Sequence, residues 1–300
     1  MASYNQMPED VLQDRARAAL ARLKACDLCP RRCRADRSSG EVGFCRSGRK
    51  ARVACYAPHF GEEAPLVDRG GSGTIFFSGC NLACVFCQNY EISQEDQGTE
   101  VDAPALASMM LELQELGCHN INFVTPTHVL PQILEALLLA RADGLALPLV
   151  YNSGGYDSVE TLRLLDGIFD IYMPDAKYGS DEPALAYSCA PGYTKIMKAT
   201  IREMHRQVGD LVIDEDGITR RGLLVRHLLL PGDAAGAAEV IRFLSEDISL
   251  GTYLNIMDQY RPEFNACRIP ELCRPVSRQE YARALKMAAE AGLIRGLAML

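Results

Sequence analysis

The sequence predicts an α/β fold built on a largely parallel sheet, on three observations. From Thr74 onward, six short apolar runs alternate with helical stretches. Runs such as TIFF, INFV and LPLVY are continuous, the pattern of strands buried on both faces. The conspicuous polar residues (Cys80, Thr125, Thr127, His128, Asn152, Ser153, Asp175 and Lys177) fall at the ends of those runs. There α/β sheets collect ligands. Periodicity alone does not separate an open or partial barrel from a doubly wound sheet.

Taken in order, the first 25 residues read as helical and charged. Residues 26–70 are rich in Cys, Arg, Gly and Pro and lack periodicity, so they cannot build a core and call for a metal staple. Asp68–Gly73 is a plausible connector, which divides the chain into 1–70 and 71–300. Thr74–Gly79 is the first strand. Asp102 is an N-cap for ALASMMLELQEL, and Gly117 closes that helix. A second strand ends near Thr125, and a helix covers 130–142. A third strand ends near Asn152 and is followed by a helix at Val159–Leu165. The fourth ends near Asp175. After a helical region at 181–208 and a hairpin turn at Asp216–Gly217 come GLLVRHLLLPG, a helix, TYLNIMD and a last helix over about 277–291.

Composition narrows the function. With 48% hydrophobic and 23% charged residues, the chain has material for a sizeable core. A net charge of −8, from 31 basic and 39 acidic residues, argues against a general nucleic-acid binder. The longest apolar stretch, near Leu134–Ala140, is far short of the roughly 20 residues a spanning helix needs. The N-terminus lacks an apolar signal core, so the expected location is cytoplasmic. In that reducing setting, twelve cysteines point to metal or redox chemistry.

The sharpest motif is GCNLACVFCQNY. It spaces Cys80, Cys84 and Cys87 at i, i+4 and i+7, and the next cysteine is Cys118. Three thiolates can hold three corners of an Fe4S4 cube and leave the fourth iron open, whereas a nearby fourth would close it. Spacing alone also admits a zinc site or a buried cysteine cluster.

The stretch GSGTIFFSGCNLACVFCQNYEIS, with Phe86 before the third Cys, resembles the radical S-adenosylmethionine (SAM) superfamily. Within it, this stretch, CDLCPRRC and VRHLLLPG resemble the PflX-like branch of pyruvate formate-lyase activating enzyme homologues. The resemblance implies a partial (β/α)6 barrel and a 4Fe–4S cluster on Cys80, Cys84 and Cys87. It implies that SAM chelates the open iron, and that a reductant such as flavodoxin or ferredoxin drives formation of a 5′-deoxyadenosyl radical. By position it assigns Thr125 and His128 to the SAM amino group, and Asn152 and Ser153 to the ribose and methionine. Asp175 and Lys177 match the activating enzymes' Asp-x-Lys, and Arg226 an arginine near the SAM carboxylate. NIMDQY lacks the His those enzymes often carry after the sixth strand. The implied substrate is a glycine-containing segment of a partner protein, entering a lateral opening that six strands leave in place of the eight of a closed barrel. A peptide or small metabolite is the alternative, and an iron–sulfur electron carrier the non-enzymatic one.

Cys26, Cys29, Cys33 and Cys45 form C-x2-C-x3-C-x11-C, a donor set for zinc or for a second iron–sulfur cluster. The surrounding arginines are either a docking face for an acidic partner or a solvated surface. Cys118, His119 and Cys189 read as core or turn residues. Cys267 and Cys273 could gate the active-site mouth or ligate a metal.

Overall fold

The computed structural model describes residues 2–297. Nine strands form one sheet: β1 Ala51–His59, β2 Ser72–Phe77, β3 Thr99–Val101, β4 Ile121–Val124, β5 Leu149–Ser153, β6 Ile171–Pro174, β7 Val212–Ile213, β8 Thr219–Leu228 and β9 Tyr253–Met257. Six of them, β2, β4, β5, β6, β8 and β9, pair in parallel and in chain order. That order decides between the two architectures. A doubly wound sheet reverses its strand order at a switch point. Here there is no reversal, so right-handed crossovers put every connection on one face. β2 and β9 are not paired with each other; β2's free edge is covered by antiparallel β1, which in turn pairs with β3. The result is a partial (β/α)6 barrel.

The predicted local signals act where expected. Asp102 Oδ1 accepts the Ala105 N–H at 3.1 Å and starts helix Ala103–Glu115. Helix Leu130–Ala142 lies in the apolar layer between sheet and helices. Asp214 accepts the N–H groups of Asp216 and Ile218 and closes the β7–β8 hairpin. Ser277 and Glu280 form a reciprocal capping box on the last helix, Arg278–Glu290.

One strand lies within the stretch that shows no periodicity in the sequence: β1 precedes residue 70 and pairs antiparallel with β2 in the same sheet. The strand was hidden because the register shifts between Val53 and Cys55 and because Pro58 lies within it. The β1–β2 connection also enters the barrel. Leu66 packs with Val150, Ile171, Met173, Leu211 and Leu224 to plug the bore near the strands' N-terminal ends. Asn122 of β4 bonds Glu62 and Asn255 of β9 bonds Glu63, so this connection ties the second parallel strand to the last. The open polar layer is left at the C-terminal ends.

Candidate functional site

The cysteine loop leaves β2 through Gly79, whose φ is +82°. A Cβ there would stand 2.5 Å from the Cys45 carbonyl oxygen, so only glycine fits. The loop is clamped from two sides. Ala83 and Val85 donate N–H bonds to the carbonyls of Ser188 and Tyr187. On the other side Asn265 N–H bonds the Val85 carbonyl, Tyr90 stacks on Phe264 at 4.9 Å, and Phe86 meets Tyr260 edge-on at 5.7 Å. Phe86 is therefore a packing residue of the loop, 5% exposed.

Each thiol of the motif has a hydrogen-bonding neighbour. Leu82 N–H donates to Cys80 Sγ at 3.3 Å, Ser188 Oγ to Cys84 Sγ at 2.9 Å, and Cys87 Sγ lies 3.1 Å from Ser93 Oγ. None of the three is in a disulfide. Burial pushes the Cys80 and Cys84 thiols up, and at Cys84 the Lys177 ammonium opposes it. Such thiols become thiolates when a metal cation binds them. Among the described residues no three Cys, His, Asp or Glu converge so as to hold a single ion. A cube takes each thiolate on a different iron, so free thiols on one loop with donors aimed at their sulfurs fit an Fe4S4 group.

Beside the loop lies a charged layer. Lys177 Nζ is 2.6 Å from Asp175, and Arg226 Nε is 2.9 Å from the other oxygen of the same carboxylate. Arg226 also donates to Asn152 Oδ1 at 2.7 Å and reaches Glu62 at 3.4 Å. Burial alone would raise Asp175, but Arg226 and Lys177 outweigh it and hold the carboxyl below its ordinary range. Glu62 goes the other way, because burial exceeds the help it gets from Arg226. Gly154 sits where a Cβ would meet Leu82 of the cysteine loop at 2.7 Å and Lys177 at 3.5 Å, so the third-strand turn, the loop and the lysine adjoin. Lys177 spends one ammonium proton on Asp175 and has others for a ligand. Arg226 has all three nitrogens engaged, and a ligand carboxylate would have to displace Glu62, its longest contact.

Two assigned side chains lie elsewhere. Ser153 is next to Asn152 in β5 and so points to the opposite face. Its hydroxyl bonds Asp157 at 2.7 Å, with Thr127 at 2.6 Å and Tyr151 at 2.9 Å on the same carboxylate. His128 is 1% exposed; its Nε2 donates to the Ser78 carbonyl at 2.9 Å, and its ring lines the cavity of the N-terminal cysteines. Thr125 is half-buried at the end of β4 with a φ of 60°, its N–H on the Asn152 carbonyl. We expect Ser153→Ala to leave SAM affinity within about twofold and to cost about 1.5–3 kcal/mol of stability, the worth of a hydrogen bond to a charged group. Isothermal titration and urea denaturation read the two effects; a large loss of affinity would return Ser153 to the ligand.

Sequence reasoning missed Glu62, Glu63, Asn122, Asn255 and Ser188. Asn122 and Asn255 could have been found as single amides inside apolar strands. The glutamates lie in a connection with no periodic signal. Cys267 and Cys273 are joined in a disulfide and are not metal ligands here. The two short turns Ala266–Arg268 and Pro270–Leu272 bring their Cα atoms to 4.4 Å. The arginine run is largely spent in ion pairs: Arg32–Glu160, Arg34–Asp27, Arg46–Asp96, Arg49–Glu135 and Arg52–Glu100. That is the pattern of a solvated surface.

A partial barrel with an open thiol triad after its first parallel strand defines a class of cofactor-bearing enzymes. The family model described as the radical SAM superfamily matches residues 74–244, and the chain belongs to that superfamily. It shares 33% identity over 280 residues with the uncharacterized protein MJ0674 of Methanocaldococcus jannaschii, covering 90% of this chain and 76% of the relative. A second uncharacterized protein of that organism, MJ0808, is 24% identical over 291 residues, covering 89% and 78%. Among solved structures, a radical SAM methyltransferase from Sphaerobacter thermophilus superposes with a TM-score of 0.51 at 15% identity and shares the fold. The alignment covers 74% of this chain and 64% of that one. The chemistry is SAM radical chemistry, with a 4Fe–4S cluster and SAM as cofactors and an external electron donor. No described helix is long and apolar enough to cross a membrane.

Proposed function

We propose that Cys80, Cys84 and Cys87 hold the cluster, that Asn152, Asp175 and Lys177 face bound SAM, and that the hydrogen abstracted comes from a polypeptide. The observation that supports the site most is the adjacency of the thiol loop to the Asp175–Lys177 pair through Gly154. When bound, the cluster supplies the electron that splits the C5′–S bond of SAM into methionine and a 5′-deoxyadenosyl radical. The chain's own part is to bind, orient and shield. Lys177 offers protons to the methionine carboxylate or ribose, Asp175 fixes the ammonium, and the clamps from Tyr187–Ser188 and Asn265 hold the loop. Lys177→Met is expected to weaken SAM binding about tenfold, the loss of one charge-assisted hydrogen bond. Iron content should stay at the wild-type level. Equilibrium dialysis with labelled SAM checks it, and unchanged affinity would make Lys177 a partner of Asp175 alone.

The polypeptide substrate, with a glycyl radical as its product, rests on likeness to the PflX-like activating enzymes, and flavodoxin or ferredoxin is the matching donor. One observation favours a small metabolite instead. The segment carrying Glu62 and Glu63 enters the barrel and bonds β4, β8 and β9, which leaves the mouth at the strands' C-terminal ends for entry. Deuterated candidate proteins and metabolites, each incubated with reduced enzyme and SAM, separate the two. Deuterium in 5′-deoxyadenosine from a protein supports the first; label only from a metabolite overturns it.

A further inference from the structure

The N-terminal cysteines are used by none of the chemistry above, yet they are assembled like a site. Cys26, Cys29, Cys33 and Cys45 line one small cavity of about 10 Å³ together with Arg31, Arg37, Phe44, Asn81 and His128. All four thiols are free; Cys26, Cys29 and Cys45 are buried and Cys33 is exposed. Burial pushes the Cys29 thiol up to about 12, and although the Arg31 N–H opposes this, Cys45, Cys26 and Cys33 push it further. Hydrogen-bond donors are aimed at two of the sulfurs: Phe44 N–H at Cys33 Sγ, 3.4 Å, and Arg37 Nη1 at Cys26 Sγ, 3.8 Å.

A second, independent feature is the charge left uncompensated beside those thiols. Arg37 is 1% exposed, and its hydrogen-bond partners are the Gly48 and His128 carbonyls and Cys26 Sγ, with no carboxylate among the described residues. Arg31, half-buried, has no ion pair among the described residues; its guanidinium lies 3.6 Å from the Phe44 ring centroid, and its Nη2 has no hydrogen-bond partner. Burying a guanidinium without a counter-ion costs several kcal/mol. An anionic group at the four thiolates would supply the missing charge to both arginines.

The site also shares a wall with the catalytic loop. The Cys45 carbonyl would lie 2.5 Å from a Cβ on Gly79, the residue before Cys80. Arg31 Nε bonds the carbonyl of Asn81, the residue after Cys80, at 3.0 Å.

We propose that Cys26, Cys29, Cys33 and Cys45 bind a second, fully cysteine-ligated 4Fe–4S cluster. Buried Arg37 and half-buried Arg31 are its counter-cations, and it lies against the catalytic loop as the entry point for electrons. This rests on the placement of the catalytic cluster at Cys80, Cys84 and Cys87. Zinc is the competing occupant. Zinc takes four thiolates on one ion and brings no sulfide, so iron and sulfide content separates the two occupants. Exposed Cys33 marks the side from which an external low-potential one-electron donor would arrive. The donor loses one electron and the second cluster gains it. That electron then passes on through the shared wall, and the second cluster returns to its starting state.

The test uses the full chain with Cys80, Cys84 and Cys87 all changed to Ala, reconstituted anaerobically. Expected are about four irons and four sulfides per chain, half the wild-type content, and no stoichiometric zinc. Adding Cys29→Ala should remove them. One zinc without sulfide, or no metal in a triple variant whose circular dichroism is native, would overturn the proposal. Arg37→Met in the triple-variant background should keep its iron but shift the reduction potential to more negative values. An unmoved potential would deny Arg37 the counter-cation role. In fully reduced wild type, the electron paramagnetic resonance spectrum should show broadening from two interacting spins. A simple sum of two isolated signals would contradict the shared wall. SAM cleavage is scored separately, so an enzyme with both clusters and no cleavage would fail the catalytic reading and leave this one standing.

Discussion

Cys84→Ala abolishes reductive formation of 5′-deoxyadenosine, and Cys80→Ala and Cys87→Ala do the same. The expected loss is at least about a thousandfold, because one missing thiolate leaves a corner of the cube unheld and the remaining chemistry has no electron source. The structure gives Cys84 the strongest case. It is 8% exposed, takes a hydrogen bond from Ser188 at 2.9 Å, and lies near the Lys177 ammonium. Ser188→Ala removes that donor and the Tyr178 hydroxyl's 2.6 Å partner but no thiolate, so it should retain cleavage at a reduced rate and cluster content near the wild-type value. Anaerobic incubation with dithionite and SAM, followed by chromatography of the nucleoside, measures both. Undiminished cleavage in any one of the three cysteine variants would end the assignment.

Arg226→Met destabilises the protein by about 3–5 kcal/mol, the usual cost of breaking a buried ion pair by removing one partner. Asp175 would keep only Lys177, Glu62 would keep only Asn122, and Asn152 Oδ1 would lose its donor. Methionine preserves much of the volume, so the loss is chiefly electrostatic. Glu62→Gln in the same chain should recover part of it, since it removes one stranded carboxylate. The pH dependence follows from Asp175. Its carboxyl is held below the unfolded value of about 4, so its contribution is present above that pH and is lost as pH falls through the folded value. The gap between wild type and variant should therefore narrow below about pH 4. Urea denaturation at pH 7 and at lower pH reads this out, and a gap independent of pH would assign the loss to packing.

Much of this arrangement was legible in the sequence because it follows local rules. Continuous apolar runs marked the parallel strands, and Asp102, Gly117 and Asp216–Gly217 marked ends and turns. The Cys spacing and the Asp-x-Lys pattern drew attention to residues that lie just beyond the ends of β2 and β6. What stayed hidden depends on contacts distant in sequence. β1 carries a register shift and Pro58, so no period reveals it. Ser153 and His128 were grouped with ligands by position along the chain, but pleat and burial turned their side chains toward Asp157 and Ser78. The entry of Glu62 into the bore depends on Arg226, 164 residues away, and no window-based signal could show it. Cys267 and Cys273 carried too little pattern to separate a disulfide from ligands.

The most direct test of the central account is electron paramagnetic resonance of the reconstituted, dithionite-reduced enzyme before and after SAM is added. To isolate the catalytic loop, it is done in a Cys29→Ala background shown to be folded. The account predicts that SAM changes the reduced-cluster signal, because it binds the iron that no cysteine holds, and that methionine and 5′-deoxyadenosine then form in equal amounts. A reduced signal that SAM leaves unchanged, with no nucleoside formed, would contradict it.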